Sequence, residues 1–144
     1  MRTPALRSLA LALLLLATLA FAIGVGIEKA EAGEHSGASG GHAEETLLGV
    51  ETESTPLIVA GIVLSLIVAL AVWRFGRRVD VLVAASAFCL GFAVLDGIEM
   101  ARKWGDEATI AVLASLAMLL HAAAAVLLAV TASRLARPRP ASQP

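Results

Sequence analysis

Apolar and polar positions follow one another along this chain in long blocks. Four apolar runs, over residues 9–27, 56–73, 79 to about 99 and 108–133, are separated by polar connectors. Each run is close to the ~20 residues that an α-helix needs to cross a bilayer core. Lipid offers the backbone no hydrogen-bond partner, so such runs must be helical within it. None has the strict alternation of a barrel strand. The punctuation agrees. Ser54 and Thr55 place hydroxyls ahead of Pro56, a helix-start pattern. Gly76 and Gly105 sit in the connectors, and Pro138 and Pro140 forbid continuation of the last run. The pattern predicts an all-α integral membrane bundle of four helices, or three if the first is removed as a signal peptide. The last three should cover about 56–75, 79–101 and 108–133. Their short connectors predict antiparallel neighbours in sequence order.

Composition narrows the class. Of 144 residues, 58% are hydrophobic and 16% charged, and the mean hydropathy is +0.84. A water-soluble domain of this size needs more polar surface. The net charge of −1 hides an asymmetry. Arg2 and Arg7 precede the first run, Arg74, Arg77 and Arg78 follow the second, and Arg134, Arg137 and Arg139 follow the fourth. With four alternating helices all eight lie on one side, which predicts cytoplasmic termini. Residues 76–78 and the 136–144 tail then lie inside, and residues 28–55 and 102–107 outside. Trp73 and Trp104 fall at opposite interfaces, as anchors should.

The first 27 residues read equally as a span or a signal peptide. Arg2 and Arg7 make a basic leader, while Ala20-Phe21-Ala22 and Ala30-Glu31-Ala32 resemble cleavage sites. Residues 28–55 form an acidic, Gly/Ser-rich segment with expected disorder up to Glu45. Leu47-Leu48-Gly49-Val50 is more apolar and is expected to rest on the membrane surface.

The chemistry-bearing candidates are ionisable groups inside the spans. In the third run the uncharged stretch from Val81 to Leu95 covers only ~22 Å of a ~30 Å core. That helix must therefore carry Asp96 near its outer end, with Glu99 a turn farther out, within reach of the interface. Cys89, Phe92, Asp96, Glu99 and Lys103 share one face, and Glu99 and Lys103 are spaced as an i,i+4 ion pair. Intramembrane acids are functional candidates, and they also serve simply to set helix depth. His121 lies near the middle of the fourth run, on a face with Ala114, Ala117, Ala124, Ala125 and Leu128. That small-residue face predicts packing on another helix. By depth, Cys89 is its expected level partner, with Asp96 one to two turns nearer the outside. A lone Cys/His pair is too few ligands for a metal site. Outside the bilayer, His35 and His42 stand among Glu34, Glu44 and Glu45. Imidazole and carboxylate can bind Zn²⁺ or Cu²⁺, but the spacing matches no closed structural site and reads first as a solvated acidic tether.

Small residues recur at four-residue spacing, as Gly61, Ser65 and Ala69 in the second run and Ala93, Gly97 and Ala101 in the third. Both series are expected to allow close helix contacts. The chain lacks a P-loop, HExxH or CxxC pattern, and its apolar runs leave no soluble domain for a conventional active site. Neither enzyme activity, a cofactor nor nucleic-acid binding is expected.

Gly41-His42-Ala43-Glu44-Glu45, then GVETESTP from Gly49 to Pro56 and an apolar helix, resemble small bacterial membrane proteins with a His/Glu-rich outer segment and three helices. The likeness covers roughly residues 41–135. It implies a bacterial inner-membrane setting and brings no activity or site. The leading expectation is an accessory or interaction protein whose partners are the bilayer and another membrane protein or itself. A cation- or proton-coupled transport component using Asp96, Glu99 and His121 is the alternative, followed by a metal sensor or buffer using His35 and His42.

Overall fold

A computed structural model describes residues 3–35, 46–47, 50–51, 55–105 and 107–137, with side chains over 3–27, 56–105 and 107–137. Four helices dominate them: α1 (Thr3–His35), α2 (Thr55–Phe75), α3 (Val79–Lys103) and α4 (Ala108–Ala136). All four are long and apolar enough to cross a membrane, so the expected helical bundle forms. Two short strands, β1 (Thr46–Leu47) and β2 (Val50–Glu51), pair antiparallel with Leu47 opposite Val50.

The boundaries differ from expectation in one informative place. Residues 28–35, read as disordered, continue α1. Glu28, Lys29, Ala30, Glu31 and Ala32 are strong helix formers, and an established span supplies the nucleus that an isolated segment lacks. The remainder of the expected disordered segment, residues 36–45, lies outside the described residues.

α3 starts after Arg78, whose guanidinium donates to Asp80 in the first turn, Nη2 to Oδ2 at 2.7 Å. That bond raises the Arg78 pKa above its ordinary value, fixing a positive charge at the α2–α3 turn. At the far end of α3 the chain reverses through Gly105, whose φ of 113° lies in the left-handed region that glycine adopts at least cost. The backbone N–H of Glu107 then donates to the Lys103 carbonyl at 3.1 Å.

α4 is the central element, with α1 and α3 packed along it, while α2 leans on α1 and meets α3 at few positions. The expected α3–α4 neighbours are present. The expected α2–α3 pair is only marginal, a correction with a physical cause. A short connector fixes where two helices begin together but not whether they stay together. α2 is apolar around its whole circumference, so no polar stripe directs it to α3.

The arginine-rich end of the bundle is tightly filled. Leu14, Val72, Leu82, Cys89 and Leu128 are fully buried there among alanines from α1, α3 and α4. Gly76 is buried in the α2–α3 turn, where a Cβ would collide with the Val72 carbonyl and the Arg7 side chain. The start of α1 is thereby seated on that turn.

The members of the two small-residue series have different surroundings. Ser65, Ala69 and Ala93 are buried. A Cβ on Gly97 would stand 3.1 Å from Met118 Sδ, and one on Gly61 would stand 3.6 Å from Phe92 Cζ. Ala101 is exposed. Each four-residue step overshoots a helical turn by about 40°, so an i+4 row drifts off the contact by its third member.

Candidate functional site

The most polar feature inside the bundle is a bond between α3 and α4. His121 Nδ1 lies 2.7 Å from Asp96 Oδ2, and the two side chains are only 1% and 5% exposed. The helices present these residues because both lie on buried stripes. On α3 the stripe runs Leu82, Ala85, Cys89, Ala93, Asp96, and on α4 it includes Ala117, His121, Ala124, Ala125 and Leu128. The expected helix-facing position of His121 is therefore correct, and Asp96 is its partner.

The expectation that Cys89 would be that partner by depth is overturned. Ser86 Oγ donates to the Ala125 carbonyl at 2.9 Å and marks the register of the two antiparallel helices. By that register Asp96 and His121 are about 9 Å apart along the axis. Helical side chains lean toward their own N-terminus. Asp96 therefore leans toward the arginine-rich end and His121 toward the opposite one, so the side chains close the gap between their Cα positions. Cys89 is buried in the packed core.

The pair has an aromatic wall. Phe92 packs on the His121 ring with centroids 5.4 Å apart, and Phe88 on Phe92 at 4.7 Å. With Nδ1 bound to Asp96, His121 Nε2 is buried without a hydrogen-bond partner among the described residues. A buried polar atom in that state is costly, and such atoms concentrate where function requires them. Glu107 Oε2 is the other such atom.

Beyond the pair, toward Trp104, the bundle opens. A cavity of about 460 Å³ is lined by all four helices. α1 contributes Phe21 and Gly24, α2 Leu57, Gly61 and Leu64, and α4 Leu113, Ala114 and Ala117. α3 contributes Phe92 together with the polar groups Asp96, Glu99 and Arg102. Asp96 is thus both a wall of the cavity and the partner of His121. At its rim Arg102 Nη1 lies 3.8 Å from Glu99 Oε2. Lys103 Nζ reaches across the turn to Glu107 Oε1 at 3.3 Å. Glu99, expected to pair with Lys103, stands beside Arg102, and Lys103 also has Glu107 within reach.

Sequence reading missed the roles of Arg102, Glu107, Phe21 and Gly24. The i,i+4 spacing of Lys103 and Glu107 was a usable signal. Nothing in the α1 run marks two of its residues as cavity walls. No group of three His, Cys, Asp or Glu residues among the described ones is placed to hold a metal ion. Of the expected outer metal set, His42, Glu44 and Glu45 lie outside the described residues, as does the side chain of His35.

The site sets an imidazole and a carboxylate in direct contact, buried, beside a cavity with mostly apolar walls. Comparison with known proteins finds no family model, curated protein or solved structure that matches the chain.

Proposed function

We propose that the chain is a small accessory or interaction protein of a bacterial cytoplasmic membrane, without catalytic activity. Its termini lie in the cytoplasm and its α3–α4 turn outside. The arginine bias supports the orientation, and the resemblance to His/Glu-rich bacterial membrane proteins supports the setting. α1 acts as a retained fourth span, a reading supported by Leu6, Ala10, Leu14 and Ala17 packed inside the bundle.

One observation carries the accessory reading. The Asp96–His121 pair stands at the floor of a one-sided cavity, and below it the bundle is filled by Cys89, Leu82, Val72, Leu14 and Leu128. The hydroxyls of Thr131 and Thr18, also buried, are bonded back to carbonyls of their own helices. That arrangement favours a component that binds at one face and acts through a partner.

The second reading is proton- or cation-coupled transport through Asp96, Glu99 and His121. It is favoured by His121 Nε2, buried with no hydrogen-bond partner among the described residues. Two measurements separate them. Native mass spectrometry of the tagged protein from its own membrane should find a stoichiometric second protein and a protomer mass that includes α1. Flux of protons or alkali cations into proteoliposomes holding the chain alone should match empty liposomes. Flux that disappears in Asp96→Asn would replace the accessory reading with transport.

A further inference from the structure

We propose that the cavity near Trp104 is a binding site for one acyl chain of a glycerophospholipid, with the lipid phosphate held at the rim by Arg102. The site stands independently of the accessory reading, because it rests on the shape and chemistry of the bundle alone.

The mouth of the cavity faces hydrocarbon. Leu57 and Leu64 on α2 and Leu95 and Ile98 on α3 line it, yet are 44%, 47%, 49% and 44% exposed. A residue that both lines a cavity and reaches the surface marks its opening, and here that is the gap where α2 and α3 part. All four lie within spanning helices, so the gap meets lipid tails.

The depth fits one leaflet. From Arg102 at the rim to Phe92 at the floor is ten residues of α3, or about 15 Å of helix, half of a ~30 Å hydrocarbon core. Over this depth the walls are hydrocarbon, from Leu57, Leu64, Leu95, Ile98 and Leu113, which suits an acyl chain. A void of this size left empty would forfeit dispersion contacts along its walls.

The rim fits a zwitterionic head. Arg102 and Glu99 are 3.8 Å apart with side chains 35% and 37% exposed, and both line the cavity. Trp104, two residues on and 68% exposed, marks the interfacial level where head groups lie. A guanidinium takes a phosphate through two parallel N–H donors. Glu99 then faces the ammonium of an ethanolamine head. A water-soluble polar ligand matches poorly, because among the described residues the one deep polar group of the lining, Asp96, is already bonded to His121.

The full-length protein, reconstituted from vesicles of phosphatidylethanolamine and phosphatidylglycerol, is exchanged into mild detergent and weighed by native mass spectrometry. One phospholipid per protomer should persist. Gly61→Leu, which fills the cavity beside Phe92, should lower that occupancy roughly tenfold. Arg102→Gln should lower it several-fold and flatten head-group preference. Leu119→Phe, on a surface 61% exposed and away from the cavity, should leave it unchanged. Lysophosphatidylethanolamine should displace the bound lipid and inorganic phosphate should not. Equal loss in all three variants, complete loss of lipid from the unaltered chain, or displacement by inorganic phosphate would each overturn the proposal. Retention of a protein in place of the lipid would do so as well.

Discussion

The two halves of this bundle are built from similar residues and come out differently. Toward the arginine-rich end, alanines of α1, α3 and α4 let the backbones close up, and Leu14, Val72, Leu82 and Leu128 fill what remains. Toward Trp104, Gly24, Gly61, Ala114 and Ala117 are equally small, yet they line a cavity. The difference lies in α2. The buried Gly76 turn seats α2 near α3 at one end, and beyond it α2 leans on α1 and leaves the gap. Small side chains permit close approach without enforcing it. In a membrane, where lipid tails compete on equal terms with side chains, a gap opening to lipid costs little. The polar groups divide the same way. Serine and threonine hydroxyls in the packed half satisfy backbone carbonyls. The ionisable groups Asp96, His121, Glu99 and Arg102 gather beside the open half.

The largest effect is expected where the halves meet. Asp96→Leu removes the partner of His121 Nδ1 and leaves the imidazole buried with no bond among the described residues. Leaving a buried donor or acceptor unsatisfied costs up to about 3 kcal/mol. Asp96→Asn keeps an acceptor in place and should cost about 1 kcal/mol, the scale of a single neutral hydrogen bond. Reversible unfolding in mixed micelles measures both. Equal stabilities for the two variants would mean that the pair does not hold α3 to α4.

Next comes a direct contrast between the halves. Leu14→Ala should destabilise the packed half by about 2 kcal/mol, the low end for a buried leucine, because lipid tails remove the transfer term and leave the cavity term. Gly61→Leu adds more atoms than Leu14→Ala removes, yet it should change stability by less than about 1 kcal/mol, because its side chain enters existing space. If Gly61→Leu is as damaging as Leu14→Ala, the space beside Phe92 is closed in the membrane and the contrast between the halves fails.

The number and placement of the helices were legible because a bilayer imposes the one constraint that length and hydropathy express directly. Asp96 and His121 were legible as candidates because ionisable groups stand out in apolar runs. Their bond was hidden because depth was reckoned from backbone level, whereas opposed lean in antiparallel helices brings together side chains six residues out of register. The cavity was hidden for a different reason. Gly61 belongs to a small-residue series that reads as close packing, and only the course of α2 makes it a wall. Of the face expected around His121, Ala117, Ala124, Ala125 and Leu128 are buried, because its period is a property of one helix, whereas Ala114 is half-buried and lines the cavity.

The smallest effect tests what sets that register. Ser86 Oγ donates to the Ala125 carbonyl across the α3–α4 interface, whereas Ser65 and Thr131 donate to carbonyls four residues back on their own helices. Interhelical hydrogen bonds in membranes contribute about 0.6 kcal/mol on average. Ser86→Ala should cost about that much, while Ser65→Ala should be near neutral, because the Gly61 carbonyl keeps its helical partner. Ser86 also lies seven residues below Ala93, so a register held only by this bond would slip when it is removed and pull Asp96 away from His121. The surrounding stripe of Cys89, Ala85 and Leu128 is packed too closely for that. Ser86→Ala combined with Asp96→Asn should therefore show additive losses. A combined loss well above the sum would show that the bond in the packed half positions the pair at the edge of the open one.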